Sequence, residues 1–378
     1  MTGERFAAER WFLERGLPAV LRPGVLVQRV WTRSAPALAA FAVMAASSAA
    51  TVALTGKHTI DIDGTPTRTE WFVLVIFVLV FPAAGVVGWL VSRIVSTQRR
   101  ATASTVSLVV AVIGGLYGGP SPRVLVDMIL EALVIATILV CTATGVGSVL
   151  GWAARMTLGN LASIGALLLR ALPVMLLTVL VFFNSPVWTM ASTISRGRLW
   201  VALVFLFLIA AVFLLSSTST NVRPILHPDA KTAEDAQSLT GTPFETMPDR
   251  PRRVPLSRTE RVNVVFVLSL SQIVQVLTMA VVTGLIFLVF GLILVSPDLL
   301  DAWTRGGSRD GQILGMTLPI PQSLIQTTMF LTALTFMYLA ARAVSDKEYR
   351  AQFLDPLVDD LRLTLVARDR YRTSTAAH

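Results

Sequence analysis

The sequence predicts an all-α polytopic membrane protein with about eight transmembrane helices (seven to eight) and with both termini in the cytoplasm. Of the 378 residues, 54% are hydrophobic and 15% are charged, whereas soluble domains contain about 25% charged residues. The apolar residues are gathered into runs close to the roughly 20 that a helix needs to cross the hydrocarbon core. Composition therefore excludes a soluble globular fold and a disordered chain, and the single cysteine, Cys141, excludes an intrachain disulfide.

Four candidate spans lie in the first half of the chain. They are Ala35 to Leu54, Trp71 to Val91, Ser104 to Tyr117 and Val124 to Trp152. The first resembles a signal-peptide cleavage region, but the 34 residues before it are long for such a signal, so we expect a retained helix. The third is short and ends in glycines and prolines, and the sequence leaves open whether it crosses the membrane or forms a re-entrant half-helix.

Four further candidate spans follow. They are Leu161 to Phe183, Leu199 to Leu215, Val262 to Ser296 and Ser323 to Val344. As one helix, the run from Val262 would be about 52 Å long, which exceeds the thickness of a bilayer. We therefore expect an emergent or steeply tilted first part that leads into a span from about Val276 to Val295.

The distribution of lysine and arginine predicts the orientation of the spans. With eight spans, 24 of these residues fall on the side of both termini and seven on the other side. Because cytoplasmic loops are enriched in Lys and Arg, both termini and the loop of residues 217–261 are expected in the cytoplasm of a plasma-membrane protein. The net charge of +9 then matches an anionic inner leaflet as partner, and no nucleic acid is needed to explain it.

Spans and loops together predict five segments along the chain. They are a cytoplasmic basic amphipathic tail (1–34), a six-span block (35–216), a cytoplasmic Pro-rich loop (217–261), a two-span block (262–344) and a cytoplasmic amphipathic helix and tail (345–378). The sequence shows no internal repeat between the two blocks, so an inverted-repeat transporter fold has no direct support in it.

The C-terminal segment carries an apolar stripe at helical spacing. Its members are Phe353, Leu354, Leu357, Leu361 and Leu365. Such a stripe docks on the membrane surface, on a partner membrane protein or on the loops of its own chain, and the sequence leaves these three alternatives open.

Three charged residues lie in or near apolar runs. Asp127 and Glu131 are four positions apart, which places them on one helix face, and Arg170 lies in the next span. Charges at membrane depth are costly, so they pair with each other or line a polar path. We expect Arg170 to pair with Glu131 or Asp127. A fixed ion pair, carboxylates at the outer interface and a proton or ion relay all remain open, and the structural readings are favoured.

A group of polar residues on the last two runs predicts a hydrogen-bond network between helices. The strongest candidates are Ser271, Gln272, Gln275 and Gln326, with Ser269, Gln322, Thr327 and Thr328 nearby. Such residues commonly hold membrane helices together, and lining a substrate path is the alternative. Close helix approach is expected at Gly85, Gly88, Gly147 and Gly151.

Motifs for catalysis and for metal binding are missing from the sequence. Lys57 follows Gly56, but the other residues of a phosphate-binding loop are absent. The histidines His58, His227 and His378 lie far apart, and there is no HExxH motif or serine nucleophile elbow. We therefore expect no catalytic, cofactor-binding or metal-binding residues, and a protein that is not an enzyme.

Three stretches resemble a known family. They are Val187 to Trp200 (VWTMASTISRGRLW), Leu256 to Ala280 (LSRTERVNVVFVLSLSQIVQVLTMA) and Val344 to Tyr371 (VSDKEYRAQFLDPLVDDLRLTLVARDRY). They are similar to a family of actinobacterial multi-span integral membrane proteins to which no role is assigned. The resemblance covers roughly the C-terminal half of the chain. It implies a plasma-membrane location, but no activity and no functional residue.

Two functions fit these features. The first is a non-enzymatic subunit or scaffold of an envelope-assembly or transport complex, which would act through the tails. The second is a secondary transporter or channel whose path uses Glu131, Asp127 and Arg170. We favour the first, because repeats are undetected, intramembrane charges are few and much of the patterned sequence lies in the tails.

Overall fold

The structure, a computed structural model, describes most of the chain. The described residues are 2–21, 24, 26–58, 62, 66–118, 124–159, 179–222, 239–245, 247, 256–305, 310–313, 316–345 and 355–376. The helices with described bounds are α1 (Thr2–Glu14), α2 (Val30–Arg33), α3 (Ala35–Thr55), α4 (Arg68–Ser92), α5 (Thr97–Gly118), α6 (Val124–Thr144), α7 (Val146–Gly159), α8 (Ser185–Thr193), α9 (Arg196–Val222), α10 (Arg258–Leu294), α11 (Pro297–Thr304), α12 (Gln322–Ser345) and α13 (Asp355–Ala376). A 3-10 turn at Pro18–Val20 follows α1, and an antiparallel hairpin of β1 (Asp310–Ile313) and β2 (Met316–Pro321) precedes α12.

Seven of the described helices are long and apolar enough to cross a membrane. They are α3, α4, α5, α6, α9, α10 and α12. The prediction of a helical, multi-pass membrane protein is therefore confirmed. Most of the predicted span Leu161 to Phe183, with Arg170, lies outside the described residues, so the total of eight stays a prediction.

Two of the predicted spans have different bounds in the structure. Ser104 to Tyr117, left open as a span or a half-helix, is part of the 22-residue helix α5, which at about 33 Å is long enough to cross the hydrocarbon core. The prediction of a single run from Val124 to Trp152 is wrong, because Gly145 separates α6 from α7. Gly145 has a φ of 83°, a left-handed conformation that glycine adopts without steric penalty.

Helix α10 is one continuous helix of 37 residues, which gives it a length of about 55 Å. Its first turns are buried among other parts of the chain, at Glu260, Val264 and Val267. A capping box starts the helix. The Ser257 hydroxyl accepts a hydrogen bond from the Glu260 amide, and the Glu260 carboxylate accepts one from the Ser257 amide.

Contacts divide the structure into two compact units. Unit one contains Met1–Pro23, Ser148–Gly307 and Ser323–His378, and unit two contains Gly24–Gly147 and Ser308–Gln322. One boundary falls just after the helix break at Gly145. The loop of residues 217–261, which separates the two blocks expected from the sequence, lies wholly within unit one.

Small side chains allow α3 and α5 of unit two to pack closely. The buried residues of α5 are Ser104, Ser107, Ala111, Gly114 and Gly118. A Cβ atom on Gly114 would lie 2.7 Å from the Cβ atom of Ala45, and one on Gly118 would collide with the backbone of Ala49. These two glycines therefore set the distance between the helices.

Four other glycines were predicted from the sequence to lie at close contacts between helices, and only one of them does so among the described residues. A Cβ atom on Gly88 would lie 3.1 Å from the Pro36 carbonyl oxygen, so this residue does lie at a tight contact. Gly85 has open space around it. The nearest neighbours of Gly147 and Gly151 are residues at most six positions away along the chain. Among the described residues, a second helix comes close at Gly88 but not at Gly85, Gly147 or Gly151.

Helices α9, α10 and α12 form an apolar core in unit one. Its residues are Ala210, Leu214, Val276, Met279, Ala280, Phe336, Leu339, Ala340 and Ala343. Helices α10 and α12 run antiparallel, because Gly284 lies against Thr332 and Gly291 lies against Leu324. This register brings the end of α12 level with about Ser271, so the first turns of α10 extend about 20 Å beyond the end of α12.

The hairpin of β1 and β2 is an element that the sequence did not predict. The amide of Ile62 donates a hydrogen bond to the Thr317 carbonyl oxygen at 3.2 Å, so the segment after α3 joins the hairpin. Ile62 and Leu318 are buried there.

Candidate functional site

A fully buried arginine–glutamate pair lies at the start of α10. The guanidinium group of Arg368, on α13, donates from Nε and Nη2 to the two carboxylate oxygens of Glu260, at 2.9 and 2.7 Å. Both side chains are 1% exposed. Because two parallel hydrogen bonds join the groups, the pair fixes the orientation of α13 on α10 as well as its position.

Two further charged residues complete this ionic cluster. Arg372 Nη2 lies 2.9 Å from a carboxylate oxygen of Glu260, and Arg368 Nη1 donates to Asp369 at 2.9 Å. The two guanidinium groups and the two carboxylates balance in charge. Burial alone would lower the pKa of Arg368, but the hydrogen bond and charge of Glu260, with the charge of Asp369, raise that pKa above its ordinary value.

Aromatic rings from three segments pack beside the ionic cluster. The ring of Phe12 on α1 lies 5.1 Å from that of Phe244 and 5.5 Å from that of Tyr371. Arg370 donates from Nη1 to the carbonyl oxygens of Phe244 and Glu245, at 3.0 and 3.2 Å. The segment 239–245 is thereby attached to α13, although it lies in the predicted Pro-rich loop.

Helix α1 is also attached to α13 and α7. Arg15 Nε donates to Asp360 at 3.1 Å, and its guanidinium group stacks over the Trp11 ring at 3.9 Å. Arg155 of α7 donates to the Glu14 carbonyl oxygen at 2.8 Å, which satisfies an end of α1. We call the assembly of α1, residues 239–245, the start of α10 and α13 the terminal-helix body.

Helix α13 is a core element of unit one and not a peripheral tail. Every residue from Thr364 to Tyr371 is buried. Leu361 lies beside Val264 and Leu268 of α10, in a small cleft. A helix buried on all sides is enclosed by its own chain, whereas a helix lying on a membrane keeps one polar face in water.

The predicted apolar stripe is only partly described. Leu361 and Leu365 are buried within the chain. Of the three expected docking surfaces, these two residues therefore use their own protein and not the membrane or a partner. Phe353 and Leu354 lie outside the described residues, and nothing is described of the Leu357 side chain. The two described members thus present no exposed surface to a partner.

Sequence reasoning missed the ionic cluster. The residues Ser257 and Glu260 have capping-box spacing, which is readable from the sequence. The partner Arg368 lies 108 residues further along, and no local pattern connects the two. One signal was available: Arg370 falls on the opposite helix face from Arg368 and Arg372, so the three arginines cannot all belong to one solvated face.

The two candidate carboxylates of α6 are both buried in unit two. Asp127 is 4% exposed and Glu131 is 9% exposed. The Glu131 carboxylate fills the space beside Gly115 of α5, where a Cβ atom would collide with Oε2. Glu131 Oε1 has no hydrogen-bond partner. A carboxyl group so placed can bind a proton or a cation, and its predicted partner Arg170 lies outside the described residues.

The four predicted polar interface residues are all buried, but they form two separate groups. Gln272 accepts a hydrogen bond from the Thr218 hydroxyl at 2.6 Å, which joins α10 to α9. Ser271 and Gln275 lie near it on α10. The antiparallel register places Gln326 about 22 Å from the level of Gln275, so one network that includes all four is not formed.

The described residues contain no group of three or more His, Cys, Asp or Glu side chains placed to hold a metal ion. Comparisons with protein families, with curated proteins and with solved structures find no match to this chain.

Proposed function

We propose that this multi-pass membrane protein is a non-enzymatic subunit or scaffold of an envelope-assembly or transport complex in the plasma membrane. The terminal-helix body is the observation that carries the proposal. The buried charges of Glu260, Arg368 and Asp369 pair with one another, which is the arrangement of a fixed structural element. A rigid body of this kind presents a constant surface to a partner without needing to order itself on binding.

The proposed orientation has both termini in the cytoplasm. The excess of Lys and Arg, 24 against seven, supports it. The antiparallel packing of α10 and α12 agrees with it, because the first turns of α10 and the end of α12 then lie on the same side of the membrane. The terminal-helix body would then lie on the cytoplasmic side, next to an anionic leaflet.

Co-purification from the native membrane tests the scaffold proposal. The tagged full chain is extracted in mild detergent, and bound proteins are identified and counted by mass spectrometry. We expect a stoichiometric partner with the wild type and with Arg362→Met, which changes an exposed arginine of α13. We expect its loss with Arg368→Met, because this change leaves Glu260 buried without its main partner.

A double variant separates misfolding from loss of the surface. Glu260→Leu with Arg368→Met replaces the buried pair by apolar side chains, which commonly keeps a fold stable. If the surface of the body recruits the partner, this variant binds it again. A wild-type protein that purifies alone, or only with copies of itself, contradicts the scaffold proposal.

A secondary transporter or channel is the second candidate, and the burial of Glu131 beside Gly115 favours it. The path would use Glu131 and Asp127, with Arg170 as the expected partner. Proton flux into vesicles containing the purified protein tests this candidate. We expect flux to be lost in Glu131→Gln and kept in Glu70→Gln, which changes only a helix cap. If Glu131→Gln transported protons as fast as the wild type at every pH, a proton relay through Glu131 would be excluded.

A further inference from the structure

The turn between α4 and α5 of unit two is strongly basic. Arg93, Arg99 and Arg100 lie within eight residues, and the sequence contains no acidic residue between Glu70 and Asp127. Arg93 and Arg99 are exposed.

Hydrogen bonds from Arg100 hold the turn in one shape. Its Nη2 donates to the Ser92 carbonyl oxygen at 2.6 Å, and its Nε donates to the Ile94 carbonyl oxygen at 2.7 Å. These contacts satisfy carbonyl groups that the end of α4 leaves without helical partners. Val95 is consequently displayed at the tip of the turn, 79% exposed.

Trp89 places an exposed aromatic ring beside the charged residues of the turn. The guanidinium group of Arg93 lies over its ring, 4.5 Å from the centroid, and the ring is half exposed. Tryptophan with this exposure is typical of the boundary between acyl chains and headgroups. The apolar surface of α4 continues from Trp89 along the helix, where Val73 and Ala84 are the buried residues.

Other basic residues lie at the same end of unit two. The Ser104 hydroxyl of α5 donates to the Trp31 carbonyl oxygen at 2.7 Å, so α2, with Arg33, lies beside the start of α5. The acidic residues of unit two are elsewhere in the sequence: Asp61, Asp63, Glu70, Asp127, Glu131 and Asp310. Glu70 and Asp127 belong to the first turns of α4 and α6, at the opposite ends of these helices from the basic turn.

We propose that Arg93 and Arg99 bind the phosphate of an anionic phospholipid, with Trp89 and Val95 at the level where its headgroup meets its acyl chains. The exposed positive charge of Arg93 and Arg99 supplies the attraction, and continuity with the exposed apolar surface of α4 identifies the occupant as a lipid of the surrounding leaflet. This inference rests on the membrane location and names one site for the leaflet as a partner. It does not depend on the scaffold role.

Lipid-dependent melting tests the site. The full chain is placed in nanodiscs of phosphatidylcholine with and without phosphatidylglycerol, and the melting temperature is measured. We expect phosphatidylglycerol to raise the melting temperature of the wild type clearly more than that of Arg93→Gln with Arg99→Gln. A surface arginine contributes about five-fold to the binding of an anionic lipid, so the double variant should bind it about 30-fold more weakly.

Arg68→Gln is the matched control. Arg68 is an exposed arginine at the other end of α4, near the exposed Trp71, but it has Glu70 beside it. We expect this variant to keep the full lipid-dependent shift, and soluble inorganic phosphate to produce none. The proposal is overturned if the double variant keeps the shift or if Arg68→Gln loses as much of it.

A fluorescent probe at the tip gives an independent readout. In a Cys141→Ser background, Val95→Cys carries a bimane group, and the vesicles contain lipids that bear a spin label close to the headgroup. We expect strong quenching of this probe. A probe unaffected by the labelled lipids would place the turn away from the membrane and overturn the proposal, while leaving the partner measurements for the scaffold role unchanged.

Discussion

Single residues decide the stability of unit one where a charge or a hydroxyl group is buried. Glu260 caps α10 and binds Arg368 with the same carboxylate, so one side chain serves two structural tasks. The cap could be predicted because it is local in sequence. The ion pair could not, because the hydrophobic and charge patterns around Glu260 contain no information about a residue 108 positions away.

Arg368→Met should lower the stability of unit one strongly. The change leaves the Glu260 carboxylate buried with only the half-exposed Arg372 near it, and breaking such a pair costs about 3 to 5 kcal/mol. Thermal melting in detergent measures the loss. Arg362→Met should have little effect, and a melting temperature equal to the wild type in Arg368→Met would show that the pair contributes no stability.

The buried threonines should respond to valine with opposite signs. The hydroxyl groups of Thr327 and Thr335 on α12 have no hydrogen-bond partner, so Thr327→Val should raise the free energy of unfolding by about 1 kcal/mol. Thr218→Val should lower it by a similar amount, because Gln272 loses its donor. Denaturant titration measures the free energy of unfolding of each variant. If both changes lowered it equally, the hydroxyl groups of Thr327 and Thr218 would not differ in hydrogen bonding as the structure describes.

At the scale of elements, α5 shows why a hydropathy pattern misjudges a tightly packed span. The sequence left its identity open because its apolar run is short and ends in glycines and prolines. Serine, alanine and glycine also make α5 less apolar than α4 and α6. Those same small residues lie against α3, so they reflect contact with a helix and not contact with lipid. Composition was therefore sufficient to predict that α4 is a span. The role of Gly114 and Gly118 in packing could be identified only from the structure.

Gly114→Leu should separate α3 from α5. The added side chain would start 2.7 Å from Ala45, and overpacking of this kind costs about 1 to 3 kcal/mol or more. We expect a lower melting temperature and faster proteolysis of the α5–α6 connection. Gly85→Leu is the control, since Gly85 has open space around it. If both variants behaved alike, the close packing of α3 on α5 would not limit stability.

At the scale of the whole molecule, the class of protein was predictable and its division was not. Long apolar runs are sufficient to predict a multi-pass membrane protein, because the bilayer permits few alternatives. The prolines of the 217–261 loop suggested a divider. Leu239 and Phe244 in that loop are buried in unit one, and the boundary between the two compact units falls just after Gly145, where one glycine adopts a left-handed conformation.

Thiol labelling of whole cells tests the proposed orientation. Cys141→Ser removes the single cysteine, and Lys57→Cys or Arg362→Cys then supplies one exposed thiol. With both termini in the cytoplasm, a membrane-impermeant maleimide should label position 57 in intact cells. It should reach position 362 only after permeabilisation, and the reverse pattern would invert the topology.

The pairing of Glu260 with Arg368 also imposes an order on the making of the protein. The ribosome adds Glu260 108 residues before Arg368, and α12 must enter the membrane in the interval. During that interval the Glu260 carboxylate has to remain in water or be bound by another protein such as a chaperone, because Arg368 has not yet been synthesised. Synthesis of α13 therefore completes unit one, and a chain that ends after α12 has the Glu260 carboxylate without Arg368.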